Sequence, residues 1–191
     1  MPHFLIRSIA AAGVADVDDP DLDEQHWSYT DPYAATMIAR GPTLDRARRE
    51  WTGSIHILDL PDLSSVRRYI ENEPYHRAGA YRDHDIWRFD DHLGRTMWDT
   101  ARIADHTRYF VLTDENCDVE ARTEHWRSGT ADRLVVLGSL RDPSTDAPRG
   151  VALAAQLPSR NDLESVLQQT IGPPASHGPL DVIDWELGGR R

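Results

Sequence analysis

Histidine, carboxylate, tyrosine, arginine and serine are the side chains left to do chemistry in this chain, because the alternatives are missing. All 21 basic residues are arginine and none is lysine. That removes the Schiff-base amine of pyridoxal phosphate and aldolase chemistry, and with it the lysines of P-loops and kinase strands. No Gly-x-Gly-x-x-Gly stretch occurs, which argues against a nicotinamide or flavin Rossmann site. Cys117 is the single cysteine, so no internal disulfide and no thiolate metal cluster can form. Histidine is the natural proton carrier near neutral pH. His26, beside Trp27, stands in a stretch that reads as an early helix.

Other candidates are weaker. Asp83-His84-Asp85 and Asp90-Asp91-His92 invite a metal. On a strand, however, His84 faces away from Asp83 and Asp85, so the three cannot converge on one ion. No metal and no cofactor is therefore expected. Ser54, Ser64 and Ser65 lack the strand-to-helix elbow that exposes a nucleophile. Arg40, beside Gly41-Pro42, could clamp an anionic substrate group, since the guanidinium fork suits carboxylates. Trp27 reads as core or pocket wall. The net charge of −11 argues against a nucleic-acid surface. No apolar run reaches the roughly 20 residues of a membrane span. The N-terminus, Met1-Pro2-His3-Phe4-Leu5-Ile6-Arg7, reads as a first strand rather than a signal peptide. A small-molecule substrate in a reducing cytoplasm is the expectation.

The elements that must position these residues come in two rounds. His26-Trp27 is followed by the turn-like Arg40-Gly41-Pro42, the strand-like 51–58, the pair Leu60-Pro61, a helix-like stretch, and an aromatic strand ending Ile86-Trp87-Arg88-Phe89. The order recurs with His125-Trp126, Leu137-Gly138-Ser139, Arg149 to Leu153, Leu157-Pro158, another helix-like stretch, and Ile183 to Leu187. Repetition of this kind decides the fold. Each round reads β-α-β-β-α-β, the split βαβ or ferredoxin-like unit. The expected division is a first module over 1–92, a connector over 93–106, and a degenerate second module over 107–191. Residues 10–20 read as a loop. The connector reads as a short helix with Leu93, Met97, Ala101 and Ala104 on one face. Each sheet needs its uncovered face buried. The tandem supplies that cover itself, which predicts an intramolecular α+β barrel with a pocket between the sheets. The chain is then a monomer with a pseudo-dimer core, or a homodimer.

The first half resembles the YCII-related family of dimeric α+β barrel proteins. The resemblance rests on His26, on Ala39-Arg40-Gly41-Pro42, on Trp51-Thr52-Gly53-Ser54, and above all on Glu73-Pro74-Tyr75 with Ala78-Gly79-Ala80-Tyr81. It covers residues 3–89. It implies ferredoxin-like modules paired into a barrel, and a His–Asp dyad in a pocket, the Asp coming from an Asp-Pro-Tyr motif. One relative of that family is linked to elimination of hydrogen chloride from a chlorinated hydroxyquinol. Carried over, the dyad is His26 with Glu73, one methylene longer than the family's Asp, and Tyr75 follows as a wall or proton donor. In such a pair the carboxylate fixes the imidazole tautomer and stabilises the imidazolium. The second half keeps His125 but reads Gly172-Pro173-Pro174 where the first has Glu73-Pro74-Tyr75. One working pocket is expected, with the second copy supplying a wall. The resemblance points to a cofactor-independent acid/base lyase or isomerase acting on a small cyclic or aromatic carbonyl compound, as in secondary metabolism. A non-catalytic small-molecule-binding or accessory protein, and a cofactor-free monooxygenase on a polyphenol, are the alternatives.

Overall fold

The computed structural model describes residues 1–13, 19–115, 117, 119–174 and 178–189. The first half runs β1 (His3–Ala10), α1 (Pro20–Thr30), a 3-10 turn (Asp31–Thr36), β2 (Met37–Leu44), β3 (Trp51–Asp59), α2 (Leu63–Asn72), α3 (Pro74–Arg77) and β4 (Tyr81–Asp91). The second half repeats this as β5 (Thr107–Thr113), α4 (Thr123–Gly129), β6 (Leu134–Arg141), β7 (Pro148–Leu157), α5 (Leu163–Thr170) and β8 (Leu180–Trp185). The strands close into one barrel in the order β1-β3-β2-β8-β5-β7-β6-β4. Each half contributes a four-stranded antiparallel sheet, and two seams join them. At one seam β4 pairs with β6, with Phe89 opposite Leu140. At the other β2 pairs with β8, with Thr43 opposite Trp185.

Strand alternation sorts the side chains into layers. On β1, Leu5 points into the barrel while Phe4 and Ile6 lie under the helices. On β3, Ile55 and Ile57 point inward and Leu58 outward. The inner cluster joins both halves through Leu5, Ile55, Ile57, Phe89, Phe110, Val136 and Trp185. Full burial of such side chains contributes about 1.5–3 kcal/mol each. The described side chains pack this interior, and the cavity under the first-half helices lies outside it rather than between the sheets, contrary to the expectation. An eight-stranded barrel is narrow enough for side chains of this size to fill it.

The helices begin where short acidic side chains can cap them. Asp19 accepts from the Asp21 and Leu22 amides at the start of α1, with Pro20 at the first helical position. Asp62 accepts from the Ser65 amide at the start of α2. Of the expected 10–20 loop, residues 14–18 lie outside the described residues.

Two local expectations are corrected. Arg40-Gly41-Pro42 is not a turn but the middle of β2. A Cβ on Gly41 would collide with the Glu186 carbonyl oxygen, so glycine lets the segment after β8 cross close by. The Glu186 amide donates to Pro42 O at 3.1 Å and the Gly188 amide to Arg40 O at 2.9 Å. The connector is not a helix with one apolar face. Only Met97–Asp99 is helical, a 3-10 turn capped reciprocally by Thr96 and Asp99. Leu93 packs on the outer core of the second half while Met97 enters the barrel interior, so the two lie on opposite sides of the sheet. Among the described residues no helix is long and apolar enough to cross a membrane.

Candidate active site

Helix α1 lays Asp23, His26, Trp27 and Thr30 toward the sheet, a spacing of three and four residues that forms one helical face. Glu73 comes from the joint between α2 and α3. Pro74 follows it, which pushes Glu73 to an extended backbone (φ −68°, ψ 128°) and ends α2. The same residue caps α3, its Oε2 accepting the His76 amide at 2.8 Å. Its Oε1 lies 2.6 Å from His26 Nδ1. The Glu73 side chain is 5% exposed and that of His26 12%.

Both carboxylate oxygens of Glu73 are thus engaged, and the group cannot rotate freely. A carboxylate accepts, so the proton of a neutral His26 sits on Nδ1. Nε2 then carries the lone pair, and it has no hydrogen-bond partner among the described residues. The Tyr75 ring lies against the imidazole at 4.6 Å between centroids, tilted by 34°. The Tyr75 hydroxyl donates to Asp23. Burial first, then that hydrogen bond to Asp23, raises the Tyr75 pKa, so the phenol stays protonated.

His26 opens on a cavity of about 390 Å³. It lies on the outer face of the first sheet, under α1 and α3, rather than between the sheets. Trp27, Arg40, Trp51, Ser54, His56 and Tyr81 are among its walls. Glu73 does not line it but sits behind His26. Trp27, 37% exposed, stands at the mouth. Arg40 is buried and not a surface arginine. Its guanidinium donates to Thr30 Oγ1 at 2.5 Å and to Asp31 Oδ1 at 3.1 Å. The second half adds a wall of its own, the segment Leu187-Gly188-Gly189 after β8. A side chain on Gly189 would strike the Arg40 guanidinium.

In the second half the corresponding place is narrowed by side chains, and a smaller cavity of about 260 Å³ lies beside Ser139 and Pro148. The segment after β4 crosses β6 as the segment after β8 crosses β2, with the His92 amide donating to Leu137 O at 2.9 Å. Here the crossing residues carry side chains. His92 Nε2 meets Ser139 Oγ at 2.8 Å, and Leu93 packs inward. Trp126 is buried, whereas His125 is exposed. The recurring His-Trp pair is therefore out of phase. The inward position held by His26 in α1 is held in α4 by Trp126.

Sequence reasoning passed over His56 and Asp23 as site residues, dismissed Ser54 as a nucleophile, and used Tyr81 only as part of the family motif. The Ser54 and Tyr81 hydroxyls are 2.9 Å apart. Burial, then the Glu73 charge, raises the Tyr81 pKa. His56 Nδ1 lies 2.9 Å from the Tyr69 hydroxyl. Burial above all, then His26, Arg40 and His84, holds the His56 pKa well below the ordinary histidine value. His84 lies outside the cavity, its Nδ1 2.9 Å from Ser8 Oγ and its Nε2 2.9 Å from His76 Nδ1. No group of three or more histidine, cysteine or carboxylate side chains placed to hold a metal occurs among the described residues.

Residues 4–90 match the sequence profile of the YCII-related domain family. Among solved structures, the 5-chloro-2-hydroxyhydroquinone dehydrochlorinase of Burkholderia phenoliruptrix AC1100, in complex with 2,5-dihydroxybenzoquinone, is 26% identical. That match covers 49% of this chain and 98% of the dehydrochlorinase, with a TM-score of 0.44. A candidate monooxygenase of Lactobacillus acidophilus NCFM matches across both halves, 10% identical, over 97% of this chain and 93% of its own, with a TM-score of 0.57. A candidate chlorite dismutase does likewise, 15% identical over 97% and 94%, with a TM-score of 0.55. These two share the fold of the whole chain, the α+β barrel of paired ferredoxin-like modules. None of the curated proteins compared with the chain matches it.

Proposed function

We propose that this chain, with its YCII-related first half, is an acid/base enzyme that needs no cofactor, a lyase or isomerase acting on a small cyclic or aromatic carbonyl compound. The observation that carries this is the 2.6 Å contact of Glu73 Oε1 with His26 Nδ1, which leaves Nε2 facing an aromatic-walled cavity. In the proposed step Nε2 takes a proton from a carbon or hydroxyl conjugated with the substrate carbonyl. The freed electron pair moves into the ring. It either expels a leaving group as an anion from the neighbouring carbon, the imidazolium then passing its proton to that anion or to water, or is reprotonated at another carbon by the same imidazolium. The first course is elimination and the second a shift of a double bond. Glu73 stabilises the imidazolium between the two transfers. A positioned base of this kind contributes typically 10²–10⁴-fold. We assign the working site to the module over 1–92, and to the module over 107–191 the wall at 187–189.

The test is solvent deuterium exchange into cyclic 1,3-diones and hydroxyquinones, followed by NMR. The expected result is exchange accelerated by the protein and abolished by His26→Ala. Ligands that bind without exchange would make the chain a binding protein, and stoichiometric oxygen uptake would make it an oxygenase.

A further inference from the structure

We propose that His56 is a second catalytic residue of the same pocket, donating a hydrogen bond from Nε2 to the substrate oxygen that gains negative charge when His26 takes a proton. The inference rests on the acid/base reading above and adds the group that reading lacks, a partner for the enolate or phenolate oxygen.

The geometry points to this role in three steps. First, His56 comes from β3, where alternation turns it with Ser54 toward the helix side, and it lines the cavity at 5.7 Å from the His26 ring centre. Second, its tautomer is set from behind. The Tyr69 hydroxyl is 2.9 Å from Nδ1, and no other partner of that hydroxyl occurs among the described residues. Tyr69 is buried, and burial above all raises its pKa, so it keeps its proton and donates it to Nδ1. The ring hydrogen then belongs on Nε2. Third, Nε2 has no hydrogen-bond partner among the described residues, yet it is not one of the buried polar atoms left unpaired. The residue is 4% exposed, so that small opening is into the cavity it lines.

Charge supports the division of labour. Burial above all, and then the charges of His26, Arg40 and His84, disfavour a proton on His56, which Tyr69 contacts from behind. His56 therefore stays neutral, a hydrogen-bond donor rather than a base. Two histidines in one pocket are thus separated by their second partners. A carboxylate behind His26 leaves a lone pair in the cavity, and a phenol behind His56 leaves an N–H there. The substrate that fits carries its acidic hydrogen and its carbonyl or phenol oxygen on one small ring. Donors placed where charge develops stabilise it without reorganisation.

Two measurements test this. On the wild-type protein, long-range nitrogen–proton NMR should show His56 with its proton on Nε2 and no titration near the ordinary histidine pKa of about 6.5. 4-Nitrophenol, whose bound ionisation is read from its colour, should bind as the phenolate. His56→Leu should weaken that binding by about tenfold or more, and His56→Gln, which keeps an N–H, by less. Tyr69→Phe releases the tautomer without opening a large cavity and should weaken it as well. A proton on Nδ1, or phenolate affinity unchanged in His56→Leu and Tyr69→Phe, overturns the inference while deuterium exchange that depends on His26 keeps the acid/base reading. Phenolate binding that depends on His56 in a protein without exchange supports the donor and sinks the base. Failure of the wild type to bind any nitrophenol overturns the donor.

Discussion

At the scale of single residues, the site depends on what stands behind each imidazole. Replacing His26 by alanine removes the proposed base, and the rate should fall by about two to four orders of magnitude. Glu73→Gln keeps the shape but loses the charge that stabilises the imidazolium, so a loss in the same range is expected at unchanged substrate affinity. Glu73→Asp should retain part of the activity, because the shorter acid can keep one of its two partners. His125→Ala should leave the rate within about tenfold, since that ring is exposed on the far half. Steady-state rates of these four variants, with circular dichroism to confirm folding, decide the matter. His56 makes a separate prediction about stability. Its folded pKa is lowered, so it is neutral in the fold, while the unfolded chain protonates near pH 6.5. Below that pH the unfolded state binds the extra proton, and stability must fall as pH falls toward the folded value. Urea midpoints at about pH 7.5 and 5.5 should diverge more in the wild type than in His56→Gln; equal divergence would refute the assignment. The sequence exposed His26 and Glu73 through the family motif. It hid His56 because Ile55-His56-Ile57 reads as an apolar strand, although alternation alone places Ser54 and His56 on one face.

At the scale of elements, the segment after β8 decides whether the cavity is open. Gly188-Gly189 crosses β2 without side chains, and Arg40 occupies the space a Gly189 Cβ would need. Gly189 also has φ +78°, a backbone region that costs other residues about 1–3 kcal/mol. Gly189→Val should therefore lift this segment or displace Arg40. Ligand affinity should drop about tenfold or more while the melting temperature falls by only a few degrees, roughly what that local strain costs, because the segment lies outside the barrel core. Calorimetric titration beside thermal melts would show this. An unchanged affinity would mean that 187–189 is not a wall of the working pocket. None of this crossing was legible beforehand. Arg40-Gly41-Pro42 carries strong turn residues, and only the close approach of Glu186 to Gly41 shows why a strand keeps them. The connector misled for a related reason. Helical spacing of Leu93 and Met97 fits a single face, but the chain uses them on two sides of one sheet.

At the scale of the whole molecule, the two halves share one closed barrel and one apolar interior. The repeat made the barrel legible, because a sheet with helices on one face must find cover for the other. It misplaced the pocket, because the inner faces close on each other with Phe89, Phe110 and Trp185. The seams are short: the β2–β8 ladder runs through Thr43–Trp185 and Leu44–Asp184, and hydrogen bonds from Trp185 Nε1 to Gly41 O, Glu186 N to Pro42 O and Gly188 N to Arg40 O extend it. Backbone pairing at the seams is thus the smaller part of what joins the halves, and the shared apolar interior the larger. A first half ending near His92 would expose Leu5, Ile55, Ile57 and Phe89 to water, together with the free edges of β2 and β4. Unpaired edges and an apolar face favour association. Each half expressed alone should therefore aggregate or form a homodimer that rebuilds the barrel. Mixing the two halves during refolding should restore the 1:1 pair and, with it, the wall at 187–189 and ligand binding at His26. Light scattering of the separate and mixed halves is the measurement. A soluble monomeric first half with the stability of the full chain would mean that the inner cluster is not what holds the barrel together.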